Sequence, residues 1–349
     1  MLQARQAKDE TSWITLLGDS ARTGGQGLRT VHAPLRVRWQ VRVDRSIRSA
    51  PVLRHETLYV TSVSGSLHAL DVSAGRERWI FHVPAKIHST PAISGDLVLF
   101  GCDNGRVYAV DATSGARVWE VRTRGEVWTS PAIYDGVIYF GSADAHFYAV
   151  KAHDGGLLWK TPLGGRIYST AYIDGKQLYV GCGDGKVYSL DTASGAVLWS
   201  TGTANGIDSS PALDGDTLLI GSEDFYLYAL DARTGAVRWK YQTGLGILSS
   251  PAANNGVVVV GSKDGYLYAF DQRSGRMLWR AQAGEVITAP PVFANGLVCI
   301  QAAGLIAFDV ASGKMAWRAG LGGSVQSAPV FTGEVIYITG LDGEVYALE

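Results

Sequence analysis

Hydrophobic positions along this chain fall in short runs of about five residues, rich in Val, Ile, Leu, Tyr and Trp and separated by Gly, Asp, Asn or Ser. Such runs predict short strands joined by tight turns, and no stretch sustains a helical period. The runs come in fours. In residues 207–239 the segments IDSSPAL, TLLIGS, YLYALD and AVRW are divided by turns at Asp214-Gly215, Glu223-Asp224 and Thr234-Gly235. Each group closes on a tryptophan: Trp39, Trp79, Trp119, Trp159, Trp199, Trp239 and Trp279 follow one another at intervals of forty, and Trp317 comes after thirty-eight. A four-stranded unit of about forty residues, copied along the chain, predicts an all-β fold, an eight-bladed β-propeller of four-stranded antiparallel blades.

The two ends of the pattern decide between a closed ring and an open solenoid, which would carry distinct caps. Trp39, in LRVRWQVRV, closes a fourth strand with no first three before it, and the last copy has three strands and stops at Glu349. Residues near 35–43 are therefore expected to supply the outer strand of the blade begun near Ser324. This divides the chain into a leader, 1–34, and a propeller, 35–349.

The repeated rows have packing reasons. Blades diverge toward the rim, and the tryptophan row fills that wedge, each indole bringing an N–H that needs an acceptor. A row of small residues runs through Ala69, Ala109, Ala149, Ser189, Ala229, Ala269, Ala307 and Ala347, beside a tyrosine row broken by His68 and Ile306. Asp71, Asp111, Asp191, Asp231, Asp271 and Asp309 precede the third turn, where a carboxylate accepts backbone N–H groups. The pairs Asp135-Gly136, Asp174-Gly175, Asp214-Gly215, Asn255-Gly256 and Asn295-Gly296 suit the positive φ angles of hairpin turns. Eightfold repetition is what packing demands, and a single active site does not.

Composition adds little beyond exclusions. The chain has 349 residues, a net charge of −1 and 18% charged residues, so no global field favours nucleic acid. No run of eighteen apolar residues is present, and membrane insertion by a helix is not expected. Residues 1–34 hold no secretory signal as they stand. Arg36, Arg38 and Arg42 alternate with Trp39 and so point away from its face, where charge on an outermost strand discourages edge pairing. Cys102, Cys182 and Cys299 lie in different blades and are expected to be free, buried thiols.

Candidate chemistry lies where the repeats disagree. The residues just before each first strand differ from copy to copy: Arg48, His88, Trp128, Arg166 and Tyr168, Asp208, Glu285 and Gln326. With the turns after the second strands they form the blade-connection face at the mouth of the central channel, the default site for a partner or ligand. Trp128 stands outside the structural tryptophan row. No G-x-S-x-G, H-E-x-x-H, C-x-x-C or P-loop occurs, no catalytic residue is assigned, and no two histidines sit at metal-ligand spacing.

The pattern ALDxxTGxxxW joined to SSPAxxDGxxYxGSxDGxLYAL, as in residues 207–239, resembles the PQQ-like repeat. That repeat is shared by pyrroloquinoline-quinone (PQQ) dehydrogenases and by the BamB lipoproteins of the outer-membrane β-barrel assembly machinery. The resemblance spans about 36–349 and implies the propeller, with the tryptophans docked against the neighbouring blade. The dehydrogenases carry long insertions, a vicinal cysteine pair and a calcium site of Glu, Asn and Asp, none of which can be assigned here. The short connections are more similar to BamB-like bacterial scaffolds, although no lipobox cysteine follows an apolar run. The expectation is a monomeric, non-catalytic scaffold that binds a protein or peptide partner through the blade-connection face and needs no cofactor. The alternative is a quinoprotein-type dehydrogenase with PQQ and calcium at the central funnel. A third reading, glycan binding, rests on aromatics such as Tyr168 and Phe225. By the resemblance the compartment is the cell envelope or periplasm if the start was trimmed, and otherwise the cytoplasm.

Overall fold

The structure, a computed structural model, describes residues 35–284, 286–302, 304–321, 327–333 and 335–349. The expected leader, 1–34, lies outside them, as do Glu285 and Gln326. The described residues form eight four-stranded antiparallel sheets and no helix. In seven sheets the strand order follows the chain. The eighth takes its outer strand, Val37–Arg42, from the other end: it pairs with Glu344–Leu348, Trp39 facing Ala347 and Val41 facing Val345. The join is extended where Arg36 and Glu349 exchange backbone hydrogen bonds of 2.8 and 2.9 Å. The ring is closed as the pattern of copies predicts.

First strands of successive blades contact one another near the axis, and fourth strands form the rim. The core lies between blades. One apolar cluster, for example, joins Val52, Tyr59 and Leu67 of the first blade to Ile93, Val98, Phe100 and Tyr108 of the second. Each indole from Trp39 to Trp239 donates Nε1–H to the carbonyl oxygen thirty-three residues ahead, in the next blade, at 2.8–3.1 Å. Trp279 bonds Val310 in the same way, while Trp317 Nε1 has no acceptor among the described residues. The aspartate row caps its turns: Asp111 Oδ1, for instance, accepts the N–H groups of Thr113 and Ser114.

Two local features differ from the sequence reading. A bulge interrupts each fourth strand, as between Val37 and Trp39, so Val37 and Arg38 are both exposed and strict alternation does not extend back to Arg36. The extra residue increases twist where the blade meets the rim. The hairpin pairs are also of two kinds. Asp135-Gly136, Asn255-Gly256 and Asn295-Gly296 both take positive φ, whereas Asp174 and Asp214 end their strands and only Gly175 and Gly215 turn left-handed.

Near the axis a chain of hydroxyls ties blade to blade. The N–H groups of Ala50, Thr90, Ser130, Thr170 and Ser210 donate to the hydroxyls of Thr90, Ser130, Thr170, Ser210 and Ser250, each forty residues on, at 2.9–3.1 Å. Pro290 and Ala328 occupy the next two positions and offer no hydroxyl. Thr170→Val keeps the shape but leaves the buried Ser130 N–H without its acceptor. Its expected cost is about 1–3 kcal/mol, read by urea unfolding, and an unchanged midpoint would show the tie to be dispensable.

Candidate functional site

The connections that carry the chain from one rim to the next first strand all lie on one face, with the turns that follow second strands. Connections among the described residues are pinned before they reach the axis. The N–H and hydroxyl of Thr123, for example, bond the Gly105 carbonyl, and the same hydroxyl bonds the Gly125 carbonyl. A buried aliphatic residue, such as Ile87, Val127, Ile167 or Ile207, then anchors the connection. The residue after it points into the mouth. This places Arg48, His88, Trp128, Tyr168 and Asp208 at equivalent positions of five consecutive blades. In the seventh blade the position nine residues after Trp279 is Thr288, and Glu285 lies three residues earlier, outside the described residues.

Three of these side chains form a stack. The Trp128 ring lies 4.5 Å from Tyr168 at an interplanar angle of 17°, and 4.7 Å from His88 on the side of the preceding blade. Arg166 extends the stack with its guanidinium 5.2 Å from the Tyr168 ring centre, a cation–π contact. Trp128 Nε1 donates to Asp103 at 2.7 Å, and His88 Nε2 lies 3.6 Å from the same carboxylate. Burial holds His88 below its ordinary pKa, helped by the charges of Arg48 and Lys86 and opposed by Asp103, so the imidazole is neutral at pH 7. On the other side of the mouth Lys263 pairs with Glu223 at 3.2 Å.

Asp208 differs from its neighbours. It is half-buried, with no hydrogen-bond or ion-pair partner among the described residues. Burial raises its pKa, with Glu223 adding to the rise and Arg166 opposing it. Asp103, Glu223 and Lys263, in the turns after second strands, belong to the site although sequence reasoning singled out none of them. The signal was available, since that turn position reads Val63, Asp103, Ala143, Gly183, Glu223 and Lys263 through six copies.

The thiols lie apart from this chemistry. Cys102, Cys182 and Cys299 are free and buried, and burial pushes the Cys182 and Cys299 thiols up to about 12. Among the described residues no group of three or more His, Cys, Asp or Glu is placed to hold a metal ion. Tyr168 stacks on the Trp128 ring and His88 leans against it at 46°, so a planar quinone stacked on the Tyr168 side of Trp128 would have to displace that side chain.

The fold and the mouth define the class: a closed eight-bladed propeller whose variable residues converge on its connection face. The sequence profile of the family described as outer membrane protein assembly factor BamB matches residues 29–101, 91–210, 183–290 and 263–349, and the chain belongs to that family. No curated protein sequence is similar enough to count as a match. Among solved structures, BamB from Moraxella catarrhalis is 18% identical with a TM-score of 0.79, over 90% of this chain and 99% of that one. The quinohemoprotein alcohol dehydrogenase from Comamonas testosteroni is 15% identical with a TM-score of 0.84, over 97% of this chain and 80% of that one. At these identities the likeness is one of fold, shared by a protein named for assembly and by an enzyme.

Proposed function

We propose that this propeller is a non-catalytic scaffold that takes a protein or peptide partner on its blade-connection face, and that it does so in the cell envelope. The observation that carries the reading is Asp208, a half-buried carboxylate that makes no hydrogen bond or ion pair among the described residues although Arg166 lies near it. A charge held in that state costs free energy that an incoming counter-charge recovers. The surrounding aromatic stack gives the surface rigid area without the entropy loss of flexible side chains. The occupied stack and the scattered carboxylates favour this reading over a quinone-dependent dehydrogenase.

Thermal unfolding with and without PQQ plus calcium separates the two. A ligand that binds the folded state stabilises it by roughly 2.7 kcal/mol at a hundredfold excess over its dissociation constant. The expected result is an unchanged midpoint. A rise that disappears in Trp128→Ala would overturn the scaffold reading in favour of the cofactor.

A further inference from the structure

The turn after each second strand ends on a residue with positive φ. It is glycine at Gly65, Gly105, Gly185, Gly265 and Gly343, with φ from 73° to 91°, and alanine at Ala145, φ 64°. In the fifth blade it is Phe225, φ 77°, a conformation that bulky residues avoid. The equivalent glycines stand in a tight place. A β-carbon at Gly105 or Gly185 would come within 2.9 or 3.0 Å of the carbonyl oxygen of Gly125 or Asn205, twenty residues on, and the residue twenty beyond Phe225 is Leu245. Phe225 fills no core in return, being 39% exposed. Strain retained for a side chain that faces solvent points to a role outside folding.

Leu245 stands beside it, 45% exposed. Thr243 joins the two: its N–H bonds the Phe225 carbonyl at 2.8 Å, and its hydroxyl lies 2.9 Å from that oxygen and 2.7 Å from the Leu245 carbonyl. The same pin joins Gly105 to Gly125 through Thr123, and Gly185 to Asn205 through Thr203. Those two pairs are small or polar, whereas the pair in the fifth blade is apolar and open. Negative charge borders it. Glu223 lies against Gly246, where a β-carbon would be 2.6 Å from its Oε2, and its field reaches Asp208. Lys263 neutralises Glu223 in part, whereas Asp208 feels the charge of Arg166 without forming an ion pair with it among the described residues.

We propose that Phe225 and Leu245 are the apolar half of the docking surface. The occupant is a segment of a protein partner that presents an apolar side chain next to a lysine or arginine, the cation going to Asp208 and Glu223. The proposal rests on the partner-binding reading above and deepens it by naming the partner's chemistry.

A random twelve-residue phage library panned on the full chain tests it. The expected selection is an aromatic or aliphatic residue within a few positions of Lys or Arg. The resulting synthetic peptide should bind at least tenfold more weakly to Phe225→Gly and to Leu245→Ser. Phe225→Gly should at the same time unfold a few degrees higher, because glycine relieves the backbone. A merely structural Phe225 would lower stability and binding together. Selected peptides that bind both lip variants undiminished but lose affinity with Asp208→Asn would sink the lip and leave the partner reading standing. Failure of the library to select any peptide, or peptides indifferent to all three substitutions, would sink both. Self-association of the full chain in sedimentation, lost in Phe225→Gly, would overturn the proposal by making a second copy the occupant.

Discussion

Trp119→Ala is expected to lower the stability of the ring by about 3–5 kcal/mol and the thermal midpoint by on the order of 10 °C. The indole is 9% exposed and packs between the second and third blades in one cluster with Phe140 and Tyr148. Its Nε1–H donates to the Ala152 carbonyl at 3.0 Å, and its ring covers Gly155, φ 72°. A β-carbon on Gly155 would fall 2.9 Å from the indole Cε3. Removing the ring therefore opens a cavity and leaves a carbonyl of the next blade without its donor. Trp119→Phe should recover most of the packing and none of the hydrogen bond, at a cost nearer 1–3 kcal/mol. The complementary change, Gly155→Ala, combines left-handed strain with overpacking and should cost about 2–4 kcal/mol. Urea unfolding of the three variants checks the set. A loss below about 1 kcal/mol for Trp119→Ala would show that docking between blades is decorative.

The docking row was legible because it is written eight times, so one packing demand leaves one residue type at a fixed interval. The closure was legible for the same reason: a fourth strand without its first three has one place to go. Features decided by geometry within a turn were not. Asp135-Gly136 and Asp174-Gly175 read alike, yet one pair forms the turn and the other straddles its start. The bulge before each tryptophan leaves no mark in residue type, because the two outward residues it creates can be apolar, as Leu157 and Leu158 are, or charged, as Glu77 and Arg78 are. The hydroxyl chain was hidden because Ser and Thr next to proline read as turn residues, and their acceptor role exists only when the next blade is in place.

The candidate site was legible as a list of disagreements among copies, and its position on one face followed from the strand order. Its pairings were not. Trp128 finds Asp103 in the preceding blade, and Lys263 finds Glu223 forty residues earlier, so the contacts cross from one copy to another. Asp208 could be named from sequence, but only burial and the positions of its neighbours show that it makes no hydrogen bond or ion pair among the described residues. Phe225 was noticed as an aromatic. That it sits where five other blades use glycine became informative once φ and exposure were known.

Deleting residues 1–43 should cost more than any single substitution, about 5–10 kcal/mol, which is comparable with the whole stability of a typical domain. Three losses add. The Trp39 indole leaves its contact with Tyr337, at 5.9 Å between ring centres, and its hydrogen bond to Val72, together worth about 3–5 kcal/mol. The pairing of Val37–Arg42 with Glu344–Leu348 disappears, at about 0.5–1.5 kcal/mol for each hydrogen bond. The outer edge of Glu344–Leu348 is then left open to other chains. Deletion of residues 1–34 alone leaves these three interactions in place and is the control against which the longer truncation is read. The longer truncation should unfold at low urea or form oligomers by strand exchange. A synthetic peptide spanning residues 35–43 should restore the midpoint in a concentration-dependent way, since it binds the folded ring and not the unfolded chain. A truncated protein that unfolds as cooperatively as the control and ignores the peptide would mean that the last blade stands on three strands and that the ring does not depend on its closing strand.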